Sequence, residues 1–362
     1  MLDQPVPISV ESVLDYGNNV YVSGNYLYVA TQNYRNVYYD GGNGGATTSI
    51  RRFKLDGGAV VYDGKGEVNG SVLNQFSMDE SGGYLRIATT SDIYDIKRGY
   101  GTQNNLYILD SGLNAAGKLE GLAPGEIIYS VRFIGARGYV VTFKTVDPLF
   151  VIDLADPTAP KVLGSLKIPG YSDYLHPYDE NHIIGFGKDT VEYDYGYGNT
   201  TAYYQGMKIA LFDVSDVKNP KELFKTEIGD RGTDSELLRN HRALLFSKER
   251  GLLAFPVTVM TVPKSQKTGN LRDDTLAYGQ FEFQGAYVYN LNLTDGFTLK
   301  GKITHISDEE YKLYGSNFWG GEDNAIDRLL YIRESLYALS RAYVTSSEIA
   351  DPGAETGRLK LN

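Results

Sequence analysis

The side chains of this sequence best placed to bind a cation are aspartates. Asp92, Asp147 and Asp189 each follow an apolar segment at the same point of three consecutive repeats, and Asn33 holds that point in the first. Carboxylate and amide oxygens at irregular spacing suit Ca²⁺, which accepts six to eight oxygen ligands in flexible geometry. No Asp-X-Asp-X-Asp-Gly loop is present. The open alternative is that these aspartates end strands and cap turns.

Tyrosine is the second candidate, with 30 copies in 362 residues. Its ring has an apolar face, a polar tip and few rotatable bonds, which suits binding surfaces. We expect one set to form a ligand-binding face for protein or glycan, and packing between loops is the alternative. The set is Tyr34, Tyr38, Tyr39, Tyr94, Tyr100, Tyr193, Tyr195, Tyr197, Tyr203 and Tyr204.

Two histidines and two carboxylates lie close together between His176 and His182. Such a cluster could bind a metal. However, the Asp-Glu-Asn sequence at 179–181 is typical of a hairpin turn, which favours a structural role. His241 and His305 are isolated in the sequence, and we expect them to be packed or surface residues.

Catalytic motifs are missing from the sequence. It has no Gly-X-Ser-X-Gly elbow, phosphate loop, HExxH or dinucleotide fingerprint. We therefore name no catalytic residue and expect a non-enzymatic binding or scaffold protein. The alternative is an enzyme acting on carbohydrate or peptide, whose carboxylates converge from several repeats at the central mouth of the fold. Convergence of the three aspartates in a deep pocket would favour that alternative.

Bulk composition excludes several classes of partner. The net charge of −10 and the pI near 5.0 argue against nucleic acid, which needs a basic footprint. The chain has no cysteine, and therefore no disulfide or thiolate site. No apolar run approaches the roughly 18 residues of a membrane span. The N-terminal residues lack the features of a signal peptide, so the protein is cytoplasmic or its signal has been removed.

The elements that must position these side chains come from a repeated pattern. An apolar strand, a tight polar turn and a second apolar strand occur six times, at 20–31, 76–89, 131–143, 174–187, 243–257 and 329–339. Repeats of roughly 40–70 residues with four strands each predict a β-propeller. We predict one all-β domain, 1–362, with six four-stranded blades; seven blades are the alternative. The predicted blades are approximately 16–70, 71–125, 126–170, 171–229, 230–305 and 306–362.

The last blade has three strands in this interpretation, at 329–334, 335–339 and 358–361. We expect the segment 6–14 to supply its outer strand, which would hide two exposed edges. The predicted connections between second and third strands are long, and they share one face with the tyrosines. They cover 32–48, 91–104, 188–205, 258–284 and 341–357.

Several phrases of the chain resemble a known family. They are LNQFSMDESGGYLRIATT, LEGLAPGE, SVRFIGARGYVVTFKTVDPLFVIDLADPTAPKVLGS, YYQGMKIALFDVSDVKNP, GLLAFPV and FQGAYVYNL, in this order along the chain, and the resemblance extends from about Asn19 to Leu339. They resemble the secreted prokaryotic β-propeller domain family that is distantly related to WD-type repeats. The resemblance implies an extracellular or cell-surface location, with partners at the cell envelope. It implies no catalytic residues. Family members carry a signal sequence and further propeller sequence ahead of this region.

Overall fold

The computed structural model describes residues 17, 19–35, 45–95, 99–143, 147–168, 170–196, 200–315 and 323–361. Within these ranges, six four-stranded antiparallel sheets form, each from strands that are consecutive in the sequence. They confirm the predicted all-β class with six four-stranded blades. The chain divides into two compact units, residues 1–144 with 148–166 (unit 1) and residues 145–147 with 167–362 (unit 2).

The first three sheets belong to unit 1, apart from a few terminal strand residues. Their strands are β1 (Asn19–Val22), β2 (Tyr26–Arg35), β3 (Gly45–Asp56), β4 (Ala59–Asn69), β5 (Met78–Ser81), β6 (Tyr84–Asp95), β7 (Gly99–Leu109), β8 (Ala115–Leu122), β9 (Ile127–Ile134), β10 (Arg137–Phe143), β11 (Asp147–Asp153) and β12 (Lys161–Ile168).

The other three sheets belong to unit 2, with two short helices. Their strands are β13 (Tyr171–Pro177), β14 (His182–Asp194), β15 (Thr200–Asp213), β16 (Lys221–Ile228), β17 (Leu245–Ser247), β18 (Leu252–Thr261), β19 (Gln280–Asn292), β20 (Gly296–Ile303), β21 (Arg328–Ile332), β22 (Ser335–Leu339), β23 (Tyr343–Glu348) and β24 (Glu355–Lys360). The helices are α1 (Leu271–Leu276) and α2 (Asp308–Tyr314).

The cores lie between neighbouring sheets of each unit. In unit 1, Ile87 and Tyr28 pack in one buried cluster, while Val140 and Leu106 pack in the next. Each such side chain stabilises the fold by about 1.5–3 kcal/mol when fully buried. Many buried positions of the middle strands are therefore apolar, which is why the repeats are visible in the sequence.

The connections predicted as long loops are partly strand. Four of them continue as paired strands, so that β6 and β7 remain in register from Thr90 and Asn104 to Asp95 and Gly99. The alternating Tyr, Thr and Val residues of these segments favour extended backbone, which explains the difference. Those tyrosines assigned to loops that the structure describes therefore lie on strand ends, in hairpins that prolong the sheets.

The last sheet also differs from its prediction. Its third strand is β23, which lies inside the segment 341–357 that we expected to be a loop, so residues 328–360 supply all four strands. The strand was missed because its inward-facing residues, Thr345 and Ser347, are polar although both are buried. The segment 6–14 lies outside the described residues.

Candidate functional site

An irregularity in the first sheet of unit 2 sets the direction of one acidic side chain. The pairing of β13 with β14 shifts between Ser172 and Tyr174, so Asp173 is an extra, unpaired residue of β13. Such a bulge bends the strand and redirects the side chain. Gly187 faces this point on β14, where a Cβ atom would overlap the backbone of Tyr171. The close approach of the two strands therefore requires glycine.

Asp173 lines an open cleft of about 420 Å³ within unit 2. The cleft volume falls within the roughly 300–1,000 Å³ of small-molecule sites. Strands β13, β14 and β15 supply one side, and the segment between β16 and β17 supplies the other. Its polar and aromatic lining comprises Tyr171, Asp173, Lys188, Tyr204, Asp234 and Arg239.

Two cations of the cleft are held by one carboxylate. Lys188 Nζ donates a hydrogen bond to the Thr233 carbonyl at 2.8 Å and lies 3.2 Å from Asp234 Oδ1. Arg239 Nη1 donates to Asp234 Oδ2 at 2.6 Å. The backbone of Asp234 pairs with Thr258 of β18 in both directions, which fixes its position. The lysine and arginine are thus oriented and each keeps donors for a further partner.

The Asp173 carboxyl group contrasts with that network. Among the described residues, none donates a hydrogen bond to it. Burial is the main cause that raises its pKa to about 7; the charge of Lys188 opposes the rise, that of Asp234 adds to it, and that of Arg239 opposes it. A carboxyl group in a cleft that exchanges its proton near neutral pH has the character of a functional residue. No sequence pattern points to Asp173, because the bulge that redirects it is set by strand pairing.

A second feature of unit 2 is a partly exposed cluster that we call the Tyr–Arg surface: Tyr193, Tyr195, Tyr203, Arg231 and Tyr278. The rings of Tyr193 and Tyr195 meet edge to face at 4.8 Å, and the Tyr195 hydroxyl hydrogen-bonds that of Tyr203. The Arg231 guanidinium carbon lies 5.4 Å from the ring centre of Tyr203 and 4.4 Å from that of Tyr278. Tyr195 is 43% exposed and Tyr278 is 65% exposed.

Three predicted tyrosines therefore meet in one cluster, and two of its members were missed. Tyr193, Tyr195 and Tyr203 come together because β14 and β15 form one long hairpin. Arg231 and Tyr278 reach the same place from segments that carry no repeat signal. Arg231 Nη1 also donates to the Thr275 carbonyl at 3.4 Å, which anchors it to α1.

The other predicted tyrosines are not members of this cluster, and three of them lie outside the described residues. Tyr204 packs edge to face on Tyr171 at 5.0 Å and lines the cleft. Tyr34 belongs to unit 1 and is 79% exposed. The backbones of Tyr94 and Tyr100 pair across β6 and β7. Tyr38, Tyr39 and Tyr197 lie outside the described residues.

The three aspartates predicted to bind Ca²⁺ lie on separate strands. Asp92 is exposed on β6 of unit 1, Asp147 begins β11, and Asp189 lies on β14 in unit 2. Burial, then the charge of Glu227, raises the pKa of Asp189. Within the described ranges, no group of three or more His, Cys, Asp or Glu side chains is placed to hold a metal ion. Calcium binding stays a prediction.

The histidine cluster forms the contacts of a hairpin. Asp179 Oδ1 accepts from the backbone of Asn181 and lies 2.8 Å from His182 Nδ1, while its other oxygen pairs with Lys248. His176 Nδ1 lies 3.0 Å from the Tyr174 hydroxyl. These contacts support the structural role.

Unit 1 contains a further cavity of about 450 Å³, lined by Val20, Val22, Phe76, Arg132 and other residues. The nearby Asp79 carboxylate pairs with the buried Arg86, whose other nitrogen donates to the Gly135 carbonyl at 2.7 Å. Its polar groups are thus largely satisfied within the protein, which indicates a structural role.

In the described part of the chain, no helix has the length and apolar character needed to cross a membrane.

The family model described as "Beta propeller domain" matches residues 2–351. An uncharacterised protein of Methanocaldococcus jannaschii is 40% identical over 280 residues, which are 75% of this chain and 42% of that protein. One of Archaeoglobus fulgidus is 42% identical over 209 residues, 58% of this chain and 29% of that protein. The chain thus spans less than half the length of these relatives.

A chain of Kuenenia stuttgartiensis hydrazine synthase is similar with a TM-score of 0.42 and 10% identity, covering 96% of this chain and 80% of that one. A similarity this low carries no argument about activity.

Proposed function

The chain belongs to the β-propeller domain family, and from this premise we propose that it is a secreted or cell-surface binding protein without enzymatic activity. Its partner is a protein or glycan of the cell envelope, and the Tyr–Arg surface favours a protein. Tyrosine and arginine are enriched at protein interfaces and dominate their binding energy.

The observation that carries this proposal is the ordering of partly exposed aromatic and cationic groups before any partner binds. Arg231 is held between two rings, and Tyr195 is held by Tyr193 and Tyr203. Because these side chains are already restrained, binding loses little of their rotamer freedom. We expect the partner to present a carboxylate or carbonyl to Arg231 and an apolar side chain to Tyr278.

A capture experiment tests the proposal. The purified protein is immobilised and exposed to solubilised envelope of the producing organism, alongside a variant that combines Arg231→Ala and Tyr278→Ala. Truncating two central residues should weaken binding at least thirtyfold, since a hot-spot residue is worth about 2 kcal/mol or more. Leu313→Ala is the matched control, because Leu313 is 82% exposed on α2 of the same unit.

The wild type and the control should retain the same partner, and the double variant should lose it. Equal capture by all three proteins would contradict the role of this surface. Labelling of intact cells with an antibody against the protein tests its location, and a signal confined to lysed cells would contradict the cell-surface assignment.

A second candidate function rests on Asp173. A carboxyl group with a pKa near 7 could act as a general acid or base on a saccharide or peptide. Release of reducing ends or new amines from envelope polymers, lost in Asp173→Asn, would favour this enzyme over the binding protein.

A further inference from the structure

The cleft of unit 2 contains polar groups whose capacity for hydrogen bonds is not fully used within the protein. The Asp173 carboxyl group has no hydrogen-bond donor among the described residues. Lys188 and Arg239 each keep donors after pairing with Asp234. Tyr204 adds a ring that is 41% exposed. The cleft thus presents one acceptor, two donors and one aromatic surface.

We propose that this cleft binds a neutral sugar ring, whose hydroxyl groups donate to Asp173 and accept from Lys188 and Arg239 while its C–H face packs on Tyr204. This site is separate in its ligand and in its contact residues from the Tyr–Arg surface, so the proposal goes beyond the protein partner proposed above. An aromatic surface with a few convergent polar groups is typical of small-ligand sites.

The charge of the cleft favours an uncharged ligand. With Asp173 ionised, two carboxylates balance Lys188 and Arg239. A cationic ligand would meet the lysine and the arginine, and an anionic ligand would meet the aspartates. A hydroxyl group donates and accepts at once, so a polyhydroxy ring satisfies both kinds of side chain without adding a buried charge.

The same geometry makes sugar binding depend on pH. A hydroxyl group donates to the ionised carboxylate and cannot do so in the same way to its protonated form. Because the pKa of Asp173 is about 7, roughly nine tenths of it is ionised at pH 8 and one tenth at pH 6. The dissociation constant should therefore rise about tenfold between pH 8 and pH 6.

The probes are glucose, mannose, N-acetylglucosamine and the anionic sugar glucuronate, each titrated into the intact protein at pH 8 and pH 6. Saturation-transfer NMR detects binding, and calorimetry gives the dissociation constants. Asp173→Asn keeps the shape of the side chain and removes the titrating carboxyl group. Asp351→Asn removes a carboxylate from an exposed position of the same unit and serves as the control.

The wild type and the control should bind at least one neutral sugar, more tightly at pH 8 than at pH 6. The Asp173→Asn variant should bind it at least tenfold more weakly at pH 8, with little pH dependence. The proposal is overturned if no neutral sugar binds, if Asp173→Asn binds as tightly as the wild type, or if glucuronate binds best. Circular dichroism confirms that each variant is folded. Since no protein partner is used, failure here leaves the proposed function standing.

Discussion

Replacing Asp173 by asparagine should stabilise the protein at alkaline pH. The pKa of Asp173 rises from 3.8 to about 7 in the folded protein, with burial as the largest cause. Three units correspond to about 4 kcal/mol at most, since each is worth about 1.4 kcal/mol. Water in the open cleft reduces this ceiling, and we expect Asp173→Asn to raise the free energy of unfolding by about 1–3 kcal/mol at pH 8.

The sign follows from proton linkage. Between pH 3.8 and 7, the folded state keeps a proton that the unfolded state has lost, so this group makes stability fall as pH rises through that window. The gain from Asp173→Asn is therefore full above pH 7 and disappears near pH 4. Urea unfolding followed by circular dichroism at pH 8, 6 and 4.5 measures it, with Asp351→Asn as the control. A variant that is less stable at pH 8, or shows the same difference at every pH, would refute the reasoning.

Three further predictions concern protons and cations. Burial, and after it the charge of Arg358, lowers the pKa of His305 to about 4. The stability that this neutral histidine contributes is therefore lost as pH falls from about 6.5 to 4. His305→Gln should flatten that part of the profile of unfolding free energy against pH, measured with urea, and an unchanged slope would contradict this prediction. Lys188→Met should raise the pKa of Asp173 above 7, because the lysine charge opposes the rise in that pKa. The difference in unfolding free energy between Lys188→Met and the double variant Lys188→Met with Asp173→Asn, measured against pH, gives this pKa. A midpoint at or below pH 7 would contradict the prediction. Thermal unfolding in EDTA and then in millimolar Ca²⁺ tests the calcium prediction. A bound ion should raise the unfolding midpoint by several degrees, and Asp189→Asn should abolish that increase. An unchanged midpoint in the wild type would contradict the prediction.

The sheets could be predicted from sequence because each repeat buries apolar residues on paired strands. Prediction failed at β23, where Thr345 and Ser347 face inward and remove the apolar alternation. It also assigned the ends of prolonged hairpins to loops, because the Tyr-rich segments there are not continuously apolar.

Less of the candidate site could be predicted. Tyr195 and Tyr203 were found because one hairpin brings neighbours in sequence together. Asp173 was missed because its bulge depends on pairing, and its charged partners Asp234 and Arg239 lie some sixty residues further along the chain. Equivalent positions in successive repeats do not by themselves gather side chains at one site.

Site-specific photo-crosslinking tests the central claim most directly, namely that the Tyr–Arg surface binds a partner protein. A photoreactive phenylalanine analogue replaces Tyr278, or in the control Ile332, which is 59% exposed on β21 of the same unit. Both proteins are irradiated with the envelope fraction of the producing organism. We predict one discrete crosslinked protein from position 278 and none from position 332. The same products from both positions, or none from position 278, would contradict the account.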